Sequence, residues 1–214
     1  DAVTGAQIVF SVNWSRVSLE VARRVQPAFQ PQQVYAELNT SSPDKKRAVA
    51  EVFGPAALVA DVALMSPVPG RGIRTPMLIS GPGAGVYAEL LAPLNSPVTL
   101  LEGPVGLAAS RKLARSVFFK GLAAAVGEAL EAARRLGPDA EAAIYADIAR
   151  TLSEADTGTV RRLQEGSYLH AVRREEEMGA AAEMLRSLGV EPLMADATRR
   201  WLHHLAQQDG DHAR

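Results

Sequence analysis

The sequence predicts an α/β fold followed by an all-α one, and three observations carry that expectation. Over the first hundred or so of its 214 residues, short apolar runs alternate with helical patterns and turn signals. From Gly103 onward strand signals fade, and alanine, leucine, arginine and glutamate dominate. Prolines at 27, 31, 43, 55 and 97 punctuate the boundaries of the first part. The expected division is therefore a sheet domain over 1–102 and an all-helical domain over 103–214.

Strands are expected at 7–12, 34–38, 58–64, 76–80 and 98–101. Helical periodicity lies between them at 17–25, 45–53 and 86–94. Strand–helix–strand alternation favours a mostly parallel sheet covered by helices, with an antiparallel edge left open. Residues 108–136 carry one long helical pattern that stops at Gly137-Pro138. Further helices are expected at 139–152, 159–188 and 193–207, with Gly189 closing the third and Pro192 just before the fourth. A helix of about 28 residues spans roughly 42 Å and needs partners along its whole length. A second subunit would supply them, so a homodimer is expected. The tail from Asp209 to Arg214 has the composition of a frayed, solvated end.

The charge balance is 23 Lys plus Arg against 24 Asp plus Glu, a net of −1. That gives no electrostatic case for nucleic acid. The absence of cysteine removes disulfide frameworks and thiolate metal sites, in keeping with a reducing cytosol. No apolar run approaches bilayer length, and the first residues lack the form of a signal peptide. The expected setting is soluble and cytoplasmic.

Lys112 is the most informative residue. It ends the stretch Gly-Pro-Val-Gly-Leu-Ala-Ala-Ser-Arg-Lys that starts at Gly103, where a glycine-led turn opens the long helix. Lys112, Ser116 and Lys120 then share one helical stripe. A lysine near a helix start gains nothing from the macrodipole, whose positive end is there, so its position points to a task. A solvated surface lysine is the plainer and more frequent reading.

Other motifs carry two readings each. Ser80-Gly81-Pro82-Gly83-Ala84-Gly85-Val86 follows a strand and opens a helix, with Glu102 near the end of the next strand. The third glycine of a dinucleotide fingerprint falls on Val86, however, so a tight turn into a helix is preferred. Asn39-Thr40-Ser41-Ser42-Pro43 lies where open α/β sheets bind ligands, and Ser41, Ser42 or Asp44 equally suits helix capping. Asp61 begins a run through Met65 and Ser66 into a Pro/Gly loop, where Arg71 or Arg74 is either an anion clamp or a solvated arginine. His170, Arg173, Arg174 and Glu177 share a face of the expected third helix, as a substrate cluster or a salt-bridged surface. His203 and His204 suit the negative pole of the last helix, and His212 lies in the tail. No metal constellation and no Ser/His/Asp triad is visible.

Together these segments resemble the β-hydroxyacid dehydrogenase and 6-phosphogluconate dehydrogenase superfamily. The nearest branch is that of bacterial NAD(P)-dependent oxidoreductases whose helical C-terminal domain has no known function. Gly103, Gly106 and Lys112 match the family's catalytic segment, with Ala108 in place of its third glycine and Ser116 in place of its asparagine. The acid-x-Ser-Thr-x-x-Pro segment appears as Glu37 to Pro43, with Asn39 where serine is usual. Met65, Ser66 and Pro67 replace the Ser-Gly-Gly that normally holds the substrate carboxylate. Family members start with a Rossmann strand, a Gly-x-Gly-x-x-Gly turn and a ribose selector, which this sequence does not contain. A partial Rossmann-like sheet domain with a helical dimerisation domain is thus expected, cut from a longer parent or surviving as a natural remnant. The first is preferred, because residues 8–12 look like an interior strand in need of neighbours.

For activity, the resemblance implies NADP or NAD as cofactor and hydride transfer to or from a small hydroxy acid or its carbonyl form. Lys112 would be the general acid and base, its pKa lowered by desolvation, and Ser116 would orient it. Asn39, Thr40, Ser41, Met65, Ser66 and His170 would line the substrate, and Val12 and Asn13 would meet the nicotinamide ribose. Two rivals stand beside this: an imine or enamine reductase, encouraged by Met65 and Ser116, and a cofactor-free helical dimerisation module.

Overall fold

The computed structural model of the chain describes residues 2–212. It divides into two compact units, Asp1–Val117 and Phe118–Arg214.

The first unit is a five-stranded sheet with strands in chain order: β1 (Ile8–Ser11), β2 (Val34–Glu37), β3 (Leu58–Leu64), β4 (Met77–Ser80) and β5 (Val98–Leu100). The expected strands are all present, shorter by a residue or so at some ends. β1, β2 and β3 run parallel, β4 is antiparallel to β3, and β5 is parallel to β4. Connections explain the reversal. Parallel neighbours need a crossover helix, and α1 (Ser18–Val25), α2 (Pro43–Phe53) and α3 (Ala84–Leu91) supply one each. Residues 65–76 instead form a Pro/Gly loop with one 3-10 turn at Gly72–Arg74, so β4 returns beside β3 in the opposite sense.

Alternation along the strands sends two apolar sets to opposite faces. On one face Tyr35 and Val59 pack with Ala22 of α1, Val49 of α2 and Val105. On the other, Val34, Ala36, Ala60, Val62, Met77 and Ile79 pack with Ala84, Tyr87 and Leu91 of α3. The Gly81–Gly85 turn is a packing device. A Cβ on Gly83 would stand 2.5 Å from the Leu58 carbonyl oxygen, and the Gly83 amide donates to the Val59 carbonyl at 3.0 Å. The backbone therefore lies against β3 where a side chain has no room, which accounts for Gly81 and Gly83 without a phosphate, while a Cβ on Gly85 would meet nothing within 4 Å.

The long helix α4 spans Leu107–Leu136, 30 residues or about 45 Å. Its first turns belong to the sheet unit and the remainder to the helical unit. The second unit continues with α5 (Pro138–Ser153), α6 (Thr157–Leu169), α7 (Ala171–Ser187) and α8 (Leu193–His212). Ala132, Ala182, Leu185, Val190 and Ala195 make its core. Glu128 accepts the Met194 and Ala195 amides at 2.7 and 2.8 Å, capping the start of α8 with a carboxylate from α4.

Two expectations need correction here. The single helix over 159–188 is two helices meeting at His170, whose φ of −122° and ψ of 24° are not helical. Across this corner Arg174 folds over Gly166 and donates to Ser167 Oγ at 3.1 Å. His170 therefore stands at the N-cap of α7 rather than inside one continuous helix, and Arg173 and Glu177 of α7 pair at 2.8 Å. The last helix continues to His212 rather than fraying from Asp209, which leaves His203 and His204 well inside it, away from its negative pole. His203 sits 3.2 Å from Glu175 instead. Ala213 and Arg214 of the expected tail lie outside the described residues.

Candidate active site at the carboxyl edge of the sheet

Four polar residues stand in one register row across the sheet. Ser11 pairs with Glu37, Glu37 with Asp61, and Asp61 with Ser80. Partners in register point to the same face, and all four are buried, Asp61 to 0% exposure. Lys46 of α2, itself 2% exposed, reaches this row from above the sheet. Its Nζ donates to the Glu37 carbonyl at 2.6 Å and pairs with Asp61 Oδ1 at 3.1 Å, with Glu37 Oε1 at 3.9 Å.

The other oxygen of Asp61 faces the start of α4. Asp61 Oδ2 accepts the backbone amides of Gly106 and Ala109, both at 3.0 Å, and Ser80 Oγ accepts that of Ala108 at 3.0 Å. The unsatisfied first-turn amides of a helix are thus met by a buried carboxylate and a hydroxyl. Gly106, at φ +100°, permits the turn, and a Cβ there would lie 3.1 Å from the Pro43 carbonyl oxygen.

α4 then carries Lys112 to the end of β2. Lys112 is half-buried, and its Nζ donates to Thr40 Oγ1 at 2.8 Å. Beside it Asn39 Oδ1 accepts the Asn13 backbone amide at 2.7 Å, and Asn39 Nδ2 donates to Asn13 Oδ1 at 3.2 Å and to Ser11 Oγ at 3.3 Å. The Asn39 amide in turn donates to Glu37 Oε1 at 3.2 Å. Arg115, nearly one turn past Lys112, donates to the Met65 carbonyl at 3.0 Å. The loops after β1, β2 and β3 are therefore all tied to the first three turns of α4 or to one another.

Known proteins share parts of this sequence and this fold. Residues 127–205 match a domain of unknown function, DUF1932. An uncharacterized 28.5 kDa protein of Methanothermus fervidus is 25% identical over 212 residues, 97% of this chain and 79% of that protein. A conserved protein of unknown function, described as structurally similar to 3-hydroxyacid dehydrogenases, is 27% identical with a TM-score of 0.60, covering 94% of this chain and 76% of that one. The fold of the chain is that of β-hydroxyacid dehydrogenase-like proteins. The fold extends to a reductive aminase of Aspergillus terreus, solved in complex with NADPH and ethyl levulinate. That match has a TM-score of 0.70 at 17% identity and covers 95% of this chain and 74% of that one.

Among the residues that the superfamily motifs single out, Lys112, Thr40, Asn39 and Asn13 come together at one edge. Ser116 lies one turn beyond Lys112 on α4, half-buried. Ser41 and Ser66 each have a buried Oγ without a hydrogen-bond partner among the described residues. Ser42, not Ser41, caps α2, accepting the Lys45 amide. Val12 is 73% exposed just past β1. Arg71 and Arg74 are exposed on their loop. His170 belongs to the helical unit and lines a cavity of about 390 Å³ there with Tyr168, Arg173 and Glu176. Sequence reasoning passed over Lys46, Ser11 and Ser80. For Ser11 and Ser80 the signal was a polar residue closing an apolar strand, a pattern that becomes a row only once the register is known, whereas Lys46 on α2 had no signal of that kind. No helix among the described residues is long and apolar enough to cross a membrane.

Proposed function

We propose that the chain serves an NAD(P)-dependent oxidoreductase that moves hydride between nicotinamide and a small hydroxy acid or its carbonyl form, with Lys112 as acid and base. The observation that carries this reading is the Lys112 Nζ to Thr40 Oγ1 contact at 2.8 Å, made across 72 positions of sequence. An ammonium group is thereby held at the carboxyl edge of the parallel strands, where ligands of open α/β sheets bind. The reductive aminase of the same fold, solved with NADPH, supports the choice of cofactor.

Whether the residues fit nicotinamide has a two-part answer. The exposed Val12 side chain beside the Asn13 and Asn39 carboxamides fits the flat, partly polar nicotinamide end. The glycine turn at Gly81–Gly83 has β3 against it and leaves no room there for the pyrophosphate. When bound, nicotinamide supplies or takes the hydride.

The proton is the task of Lys112. In reduction its Nζ gives a proton to the substrate oxygen on which negative charge gathers, and in oxidation the neutral amine takes it back. Thr40 Oγ1 accepts one ammonium hydrogen and so fixes the direction of the others. Ser116 orients the lysine or the substrate oxygen, and Asn39, Ser41, Met65 and Ser66 line the substrate side. The two buried, unpartnered hydroxyls of Ser41 and Ser66 favour a polar ligand.

A second reading, reduction of an imine or enamine, is favoured by Met65 and Ser116, which stand where the superfamily pattern has serine and asparagine. One assay separates the two. NADPH and NADH are titrated by nicotinamide fluorescence into the full-length protein, which is then offered short 2- and 3-oxo acids and cyclic imines. Saturable binding with oxo-acid turnover is expected. Turnover of imines alone selects the second reading, and failure to bind either cofactor contradicts both.

A further inference from the structure

We propose that Lys46, buried and far from any solvent role, is the positioning residue that sets Lys112 against Thr40. The inference rests on the reading of Lys112 as proton donor and adds a residue to its machinery.

Two chains of contact leave Lys46, and both end at the Lys112–Thr40 pair. The first runs through β2. Lys46 Nζ holds the Glu37 carbonyl at 2.6 Å, while Glu37 Oε1 holds the Asn39 amide at 3.2 Å, the residue next to Thr40. The second runs through β3. Lys46 Nζ holds Asp61 Oδ1 at 3.1 Å, and Asp61 Oδ2 holds the Gly106 and Ala109 amides at 3.0 Å. Ala109 lies three residues, nearly one turn, before Lys112 on α4. The same ammonium thus fixes the height of the loop that carries the acceptor and of the helix that carries the donor.

Charge makes the clamp specific. Two buried carboxylates share one buried ammonium, and the remaining attraction for Asp61 comes from the positive start of α4. With Lys46 neutral, Glu37 and Asp61 repel each other across adjacent strands, and Asp61 no longer has a fixed oxygen to offer the helix. A methionine at 46 fills the space but holds neither chain. An arginine keeps the charge, yet its longer fork cannot meet both oxygens without moving one of them.

The test reads Lys112 directly. In the full-length protein, the rate of acetic anhydride labelling of each lysine amine is measured across pH by mass spectrometry, for wild type, Lys46→Met and Lys46→Arg. Thr40→Val, changed at an exposed position, gives the value for an unseated Lys112. Near-UV circular dichroism establishes which variants are folded. The Lys112 labelling rate in Lys46→Met should move at least about threefold towards the Thr40→Val value, with kcat down by about 10- to 100-fold at a KM within about threefold. Lys46→Arg should move the same way by less, and it carries the comparison if the methionine variant does not fold. A wild-type Lys112 labelling rate in either folded Lys46 variant overturns the proposal. Lys112→Ala keeps the two readings apart: if it retains turnover, the proton-donor role fails whatever Lys46 does. If it loses turnover while the Lys46 variants label and turn over as wild type, only the positioning role fails.

Discussion

Asp61 shows how much of this site hangs on one carboxylate. It meets Lys46, two amides of α4 and the Ser80 hydroxyl while fully buried. Asp61→Asn keeps the shape and removes the charge, leaving Lys46 with a weakened partner. A loss of about 3 kcal/mol of stability is expected from urea denaturation, at the low end for breaking a buried ion pair. Ser80→Ala removes a single cap and should cost about 1 kcal/mol. The buried tyrosines add a pH dependence. Burial pushes Tyr35 and Tyr87 from 10.0 up to about 12, because the phenolate is disfavoured away from water. Their folded-state values exceed the unfolded ones, so their contribution is complete below pH 10 and is lost as pH rises towards 12. Each then costs about 1.4 kcal/mol per pH step. Urea midpoints should be flat from pH 8 to 9 and fall above 10, and Tyr87→Phe should flatten that fall. At this scale the sequence announced Lys112 through its place in a glycine-led helix start. It did not announce Lys46, whose neighbours in Asp44-Lys45-Lys46-Arg47 look like one solvated helix face.

Elements were legible wherever local pattern and tertiary need agree. Five strands appear where β-branched runs lie between turn signals, because alternation there matches two buried faces. The helical corner runs the other way. Nothing between Thr159 and Leu188 breaks a helix strongly by composition, yet the chain turns at His170, where Arg174 and Ser167 meet across the corner. Glycines divide by the same logic. Gly83→Ala would put a methyl 2.5 Å from the Leu58 carbonyl oxygen, on backbone that cannot swing aside. A destabilisation of about 1–3 kcal/mol is expected by thermal or urea melting. Gly127 lies inside α4, and beyond its own helix backbone nothing comes within 4 Å of where a methyl would sit. It should tolerate alanine with a gain of about 0.5–1 kcal/mol. An equal response at the two positions would contradict close packing as the reason for the glycines of the β4–α3 turn.

At the scale of the whole molecule, the helical unit leaves much apolar surface in water. Phe118, Tyr145, Val160, Leu163, Leu169 and Val172 are each more than half exposed. Side chains of that size spread over α4 to α7 favour an association surface, and a second copy of the chain is the partner we propose. Sedimentation equilibrium should give twice the 22.8 kDa chain mass at micromolar concentration, and a monomer there would sink the homodimer. The α/β-then-helical order was readable from composition alone, since the strand signals stop at Gly103. The break between compact units at Val117 and Phe118 was not, because α4 runs through it without a change of pattern.

Every proton transfer of the proposed chemistry passes through the amine of Lys112. Its most direct test is kcat for Lys112→Ala beside wild type, with the oxo acid that the panel identifies and NADPH or NADH affinity measured in parallel. We predict a loss of about 10²- to 10⁴-fold in kcat with cofactor affinity unchanged. A Lys112→Ala protein that turns over at the wild-type rate would contradict the proton-donor role.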